Sequence, residues 1–347
     1  MSTSTLTGPD APVPAPSSAT APARTRSARR PRGVLWLALR QSRVPLRNLA
    51  VLALLAAVAL VVLHVLLRDR LELLRQTGCY TPQAWSEPDC WMRYTQVSVL
   101  SDAFTNVAQP ALTFAPVLIG MFVGGPLLAQ EHERGTLRLV LAQSVSPGRW
   151  LTARLAVFAV AVVPVSVVLA ALTSWVWWSD ILDEPGAFDP PFQGFTYPVI
   201  GVVPVGWWLF ALVLGTLVGQ VVRHTVPAVV VSGALIGLTH GAMSVIRPYF
   251  WPVVEEEQPY STVLNGFVKP VNSWLVDNGV VLADGRRLGH SDCLSEADGC
   301  LTAPTAWGEY HPPAHLVPIQ LVETGLLLLL TAGLTFLLFR RFTRAGV

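Results

Sequence analysis

The placement of apolar residues constrains this chain more than anything else in it. Six helix-length apolar stretches follow one another along the sequence, each nearly free of charge: residues 49–67, 111–129, 151–178, 203–222, 225–246 and 316–339. A helix needs about 20 mostly apolar residues to cross the hydrocarbon core of a bilayer. Hydrophobic residues make up 52% of the chain and charged residues 13%, against about 25% charged in soluble domains. The pattern predicts an all-α polytopic membrane protein. It has six transmembrane helices, an N-terminal interfacial helix, and two long extracytoplasmic loops at 68–110 and 247–315.

Arginine placement sets the expected orientation, because Lys and Arg near span ends accumulate on the cytoplasmic side. Arg40, Arg43 and Arg47 precede the first span. Arg134, Arg138, Arg149 and Arg154 surround the connection between spans two and three, Arg223 lies between four and five, and Arg340, Arg341 and Arg344 end the last. With six spans all of these fall on one side. The connection after span three carries Asp180, Asp183, Glu184 and Asp189 and no Lys or Arg. Both termini are therefore expected in the cytoplasm. Arg68, Arg70 and Arg75 run against the rule, with Asp69 and Glu72 interleaved. Cys79, Cys90, Cys293 and Cys300 all fall in the two outer connections, on the oxidising side where disulfides persist. Cys79–Cys90 and Cys293–Cys300 are the simplest of three possible pairings; free surface thiols are the alternative.

Residues 1–32 are rich in Pro, Ala, Ser, Thr and Arg and read as a disordered basic cytoplasmic tail. The apolar stretch starts too late for a secretory signal. Residues 33–48 alternate Leu35, Leu39 and Leu46 with Arg40, Arg43 and Arg47, as expected of an interfacial elbow helix bent at Pro45 into span one. A plain extension of span one is the other reading. The outer connections lack helical periodicity and read as loop-rich caps, with Glu255, Glu256 and Glu257 as a solvated face. Trp175, Trp177, Trp178, Trp207, Trp208 and Trp251 are expected in an interfacial aromatic belt.

Gly120 and Gly124 in span two, and Gly233, Gly237 and Gly241 in span five, recur at four-residue spacing. Such small-residue stripes let helices approach closely, within the chain or between two copies. Apart from Arg154 at the entrance to span three, His64, His240 and Glu323 are the ionisable residues within the spans. His64 and Glu323 lie near span ends and can reach the interface. His240 lies deeper, with Thr239 beside it as a partner. His240 and Glu323 are candidates for a substrate pathway.

Several chemistries are absent. Lys269, the only lysine, precedes Pro270, so no phosphate-cradling G-K-[ST] loop exists. No Cys/His cluster has zinc spacing, Glu131-His132-Glu133 is too compressed for a zinc helix, and no G-x-S-x-G elbow occurs. The chain carries no cofactor site of its own and no nucleic-acid signature. Energy for work must come from a partner or an ion gradient.

The connection at 130–150 is the most informative. Glu131, Glu133 and Arg134 come first, then Gly135-Thr136, then a short apolar turn through Leu137, Val140 and Leu141. Ser146-Pro147 has the form of an N-cap with proline at the first helical position. This segment resembles the first cytoplasmic connection of ABC-2-type permeases, the membrane subunits of ATP-binding-cassette exporters. Their Glu-x-Glu-x-Gly-Thr-Leu pattern is matched at Glu131, Glu133, Gly135, Thr136 and Leu137, followed by Leu141 and a late basic Arg154. Ser144 and Pro147 depart from the family, which favours proline and arginine at those places.

The resemblance extends across residues 34–347 and implies a transport subunit rather than an enzyme. It implies a separate cytoplasmic ABC ATPase docked on the segment, which would carry ATP and Mg, and a second permease copy or related permease. It also implies export of a hydrophobic or amphipathic compound across a bacterial plasma membrane. In that reading Glu131, Glu133 and Arg134 are rim charges, and Leu137 and Leu141 bury against the ATPase. The competing classes are a membrane-embedded enzyme or a gradient-driven carrier using His240 and Glu323. The enzyme would need such groups to converge, and their sequence positions place them at different depths.

Overall fold

The computed structural model describes residues 33–79, 82–135, 146–178, 191–192, 194–261, 266–293, 300 and 303–344. The basic tail expected at 1–32 lies outside them. Eight helices and four strands carry the description: α1 Val34–Gln41, α2 Arg43–Gln76, α3 Pro88–Glu133, α4 Pro147–Trp178, α5 Val203–Val222, α6 Thr225–Ile246, β1 Val254–Pro259, β2 Trp274–Val281, β3 Arg287–Gly289, the single turn α7 His290–Cys293, β4 Thr305–His311, and α8 Leu316–Arg344. Among the described residues, α2, α3, α4, α5, α6 and α8 are long and apolar enough to span a membrane. The six-span architecture expected from the sequence is present.

Burial divides these helices by role. In α5, 67% of the apolar stretch is buried inside the chain, against 11% in α2. Helix α5 is thus the axis of the bundle, packed against α3, α4, α6 and α8. Its Trp207, Phe210, Ala211 and Leu212 belong to the core with Leu128, Trp150, Leu151, Trp177 and Leu327. The outer helices turn apolar side chains outward instead: Val160 is 73% exposed, Val226 74% and Leu329 71%. Apolar surface this extensive is stable only against lipid.

Close backbone contact holds α5 in place. A Cβ on Gly215 would lie 2.3 Å from the Gly120 carbonyl oxygen, and one on Gly219 would lie 2.2 Å from that of Gly125. Gly124 is hemmed in by the Leu212 carbonyl and the Gly215 Cα. Hydrophobic attraction is weak between helices in lipid, so van der Waals contact at this range supplies much of the association. Gly120 and Gly124 thus serve the seam, and Gly233 packs on Met121. A Cβ on Gly237 or Gly241 would meet nothing of the neighbouring elements within 4 Å among the described residues, so no described helix packs on them. Their place is taken by Gly125, Gly215 and Gly219, which the sequence stripes did not single out.

Helix α3 continues through two π-turns, Phe104–Ala108 and Gly120–Gly124. Each sits just ahead of a proline, Pro110 or Pro126. Proline lacks an N–H and its ring collides with the carbonyl four residues back; a widened turn relieves both. At the other end of the chain, Ser42 interrupts the helix between α1 and α2, whereas the sequence places the bend at Pro45. Pro45 falls in the first turn of α2, where a missing N–H costs nothing.

The outer connections are more ordered than their sequence suggests. Instead of a loop-rich cap, 68–110 is mostly the ends of α2 and α3, joined by a short 3-10 turn at Pro82–Ser86. Residues 247–315 contain an antiparallel sheet of order β1-β4-β2-β3. Its strands are short, and β2 carries Asp277, Asn278 and Gly279 in its middle, which hides its alternation. The acidic run is exposed but not merely solvated. Alternation on β1 places Glu255 and Glu257 on one face, where both pair with Arg287, and Glu256 on the other, where it accepts from the Tyr310 hydroxyl at 2.8 Å. Cys79 lies at disulfide distance from Cys90, and Cys293 from Cys300, each pair joining positions close in sequence.

The glycine seam gives a direct test. Gly219→Ala forces a methyl group into a backbone carbonyl that cannot move aside, and overpacking of this kind costs about 1–3 kcal/mol. Its unfolding temperature in detergent is expected to fall clearly, while Gly237→Ala leaves it unchanged or slightly raised.

Candidate functional site

At the end of the bundle that carries α1 and the last turn of α8, the connection after α3 is tied down by three consecutive side chains. Residues on a helix turn about 100° apart, so Glu131, His132 and Glu133 point in three directions. The Glu131 carboxylate accepts from Arg154 Nη2 of α4 at 3.1 Å, and Arg154 Nη1 donates to Gln41 Oε1 of α1 at 2.5 Å. His132 Nε2 donates to Gln220 Oε1 of α5 at 3.0 Å. Glu133 Oε2 accepts from the Thr225 backbone N–H at 3.1 Å and from its hydroxyl at 2.6 Å. One short segment thereby touches α4, α5 and α6, and reaches α1 through Arg154.

Each contact has a local cause. The Glu131 and Arg154 side chains are only 16% and 11% exposed, so they form a charge pair largely shielded from water. The Arg154 guanidinium also lies over the Trp150 ring at 5.3 Å, and Trp150 stacks on Phe342 of α8. Glu133 sits at the start of α6, where unsatisfied N–H groups and the positive end of the helix dipole favour a carboxylate. The same helix end stops α3: Arg134 N–H bonds back to Gln130 O, and Gly135 follows in the left-handed region at φ +68°. This conformation is the reason a glycine stands in the motif.

The sequence reading treats Glu131, Glu133 and Arg134 as rim charges facing a partner. Glu131 is half-buried against Arg154, whereas Glu133 bonds to Thr225 and stays exposed with Arg134 and Gly135. Thr136, Leu137 and Leu141 lie outside the described residues. Helix α4 resumes at Pro147, as the Ser-Pro signal predicts. Gln41, His132, Gln220 and Thr225 are additions. Single polar residues at span ends carry no pattern that would select them.

A second cluster lies at the opposite end. Glu323 of α8 is fully buried and receives Arg247 Nε at 2.8 Å, Arg247 Nη2 at 3.3 Å and the Trp207 indole N–H at 3.0 Å. Arg247 lies 3.9 Å from the Tyr197 ring centroid, a cation–π contact. His240 packs on Trp207 with ring centroids 4.7 Å apart. His240 and Glu323 therefore meet at one tryptophan, although their sequence positions suggest different depths; the wide indole of α5 bridges the gap. Glu323 has no exposed surface with which to reach the interface, and Thr239 spends its hydroxyl on Leu235 O of its own helix. His64 lies apart, buried and stacked on Trp175 at 3.5 Å. Trp177, Trp207 and Trp208 are core residues, leaving Trp175, Trp178 and Trp251 exposed as an interfacial belt would require. Above this cluster, His311 Nε2 donates to Pro248 O at 2.9 Å and fixes β4 to the end of α6. Burial holds the His311 imidazole below its ordinary range, with His315 adding to the effect.

A family model described as ABC-2 membrane transporter related matches residues 49–247, more than half of the chain. The chain belongs to this family. No curated protein and no solved structure matches it. The ABC-2 match runs from early α2 to Arg247, so it contains the ties from Glu131, His132 and Glu133 to α4, α5 and α6. The permease's α8, the outer sheet and Gln41 fall outside it. The multi-pass membrane character and the transport class follow from the match together with the six apolar helices.

Removing one partner of a buried ion pair leaves the other uncompensated, at about 3–5 kcal/mol. Glu323→Gln is expected to destabilise the permease on that scale in detergent unfolding. Arg247→Met combined with Glu323→Gln recovers much of the loss, because no charge is left buried. A second expectation concerns the other end: Glu131→Gln and Arg154→Gln each lower stability, and a double-mutant cycle gives a coupling energy of about 1–3 kcal/mol.

Proposed function

We propose that this chain is the permease subunit of an ATP-driven exporter, powered by a separate cytoplasmic ABC ATPase that docks on the connection between α3 and α4. One observation carries the reading. The matched Glu-x-Glu motif is anchored to α4, α5 and α6, and through Arg154 to α1, so force applied to this connection reaches several helices together. Arg134 and Gly135 are exposed and lead into the rest of the motif, where the ATPase would dock with Leu137 and Leu141 as its apolar contacts. ATP and Mg belong to that partner.

Arginine placement supports both termini inside, and the cysteine pairs at the opposite end support an oxidising exterior. A cell-membrane location in a bacterium, a second permease copy across the pathway, and a hydrophobic or amphipathic cargo complete the proposal. ATP binding would close the ATPase pair, press on the connection and tilt the helices around α5. The carrier alternative has less support, since Arg247 already neutralises Glu323.

The test is co-purification in mild detergent. A cassette-type ATPase is expected to accompany the intact chain, and Leu137→Glu with Leu141→Glu is expected to lose it while the permease still elutes as a single folded species. Retention of the ATPase by that variant would overturn the docking assignment. Labelling of a cysteine placed at Gly135 by an impermeant reagent from outside intact cells would overturn the orientation.

A further inference from the structure

A recess remains that neither end cluster uses. It lies between the last turns of α2 and the first turns of α3, at the end opposite the termini, with a cavity volume of about 780 Å³. Leu66 and Arg70 of α2, one turn apart, form one wall; Trp91, Met92, Gln96 and Val99 form the other, along one face of α3. The Cys79–Cys90 pair ties the two helices together just above it. The recess opens away from the bundle: Trp91 is 56% exposed and Val99 60%. In a membrane that side is lipid or its headgroup layer.

Its charge is the informative feature. Arg154, Arg247 and Arg287 all face carboxylates. Arg70 instead donates Nη1 to the neutral Gln96 Oε1 at 3.1 Å, and among the described residues no carboxylate pairs with it. A guanidinium has five N–H donors and no acceptor, so most of its capacity is unspent. A cation set in an apolar wall without a counter-ion selects an anion that also carries apolar surface.

We propose that this recess seats an anionic phospholipid of the surrounding bilayer. Its phosphate rests on Arg70, one acyl chain runs along Leu66 and Val99, and Trp91 and Met92 cover the headgroup region. An indole at that level matches the preference of tryptophan for the membrane interface. The proposal requires only that the helices span a membrane; it does not depend on the transport reading.

Photoactivatable phospholipids with identical chains and either an anionic or a zwitterionic headgroup provide the test. They are incorporated with the full chain in nanodiscs, and crosslinks are mapped by proteolysis and mass spectrometry. Labelling within residues 88–100 is expected to favour the anionic lipid about fivefold, the value of one arginine at an anionic surface. Arg70→Gln is expected to bring the two lipids level. Val99→Trp, which fills the recess and keeps Arg70, lowers labelling by both. Equal labelling of the unmodified chain by the two lipids would reduce the recess to ordinary lipid contact and overturn the proposal. So would chain-to-chain crosslinks at these residues in place of lipid, which would mean that a second copy covers them.

Discussion

The contact between the backbones of α3 and α5 organises the molecule. Lipid chains are as apolar as leucine, so nothing comparable to water's rejection of hydrocarbon drives these helices together. Gly120, Gly124 and Gly125 facing Gly215 and Gly219 remove the side chains that would hold the two axes apart. With α5 drawn against α3, its remaining surface becomes the core on which α4, α6 and α8 pack. The π-turn at Gly120–Gly124 lies within this contact, so the proline-driven widening of α3 and the seam occupy the same stretch of helix.

Around that axis, the buried ion pairs that join helices lie at the two ends of the bundle. Polar groups at membrane depth must find partners inside the protein. At one end Glu131, His132 and Glu133 distribute their bonds over neighbouring helices. At the other, Glu323 collects Arg247 and the Trp207 indole. Both clusters join elements far apart in sequence, and both sit where a helix ends and the chain reverses. The first ties the start of the ABC-2 connection to the helices around it. The second fixes α8, which lies outside the family match, to the part that lies within it.

The sequence exposed some of this more readily than the rest. Apolar runs of about 20 residues have few meanings, so all six spans were legible, as were the helix restart at Pro147 and the simplest cysteine pairing. The strands were not, because they are short, because Asp277, Asn278 and Gly279 hide the alternation of β2, and because Arg287 reaches Glu255 and Glu257 only after the sheet has formed. The Glu131–Arg154 pair was half legible. Both residues belong to the motif pattern, but their spacing says nothing of whether they face each other or a partner. Arg247 was read as part of an outer loop, since only the approach of α8 turns it into a buried cation.

Sequence by itself determined that this chain spans a membrane six times and that it carries the ABC-2 connection motif. Both are local properties, set by runs of side chains and by the spacing of a few residues. Tertiary structure alone decided which glycines touch and which tryptophans are core. It also decided that His240 and Glu323 share one indole, and that the motif's carboxylates are spent inside the chain. Those outcomes depend on which helix faces which, and in a bilayer that choice rests on close packing and polar pairing across distances that no single stretch of sequence encodes.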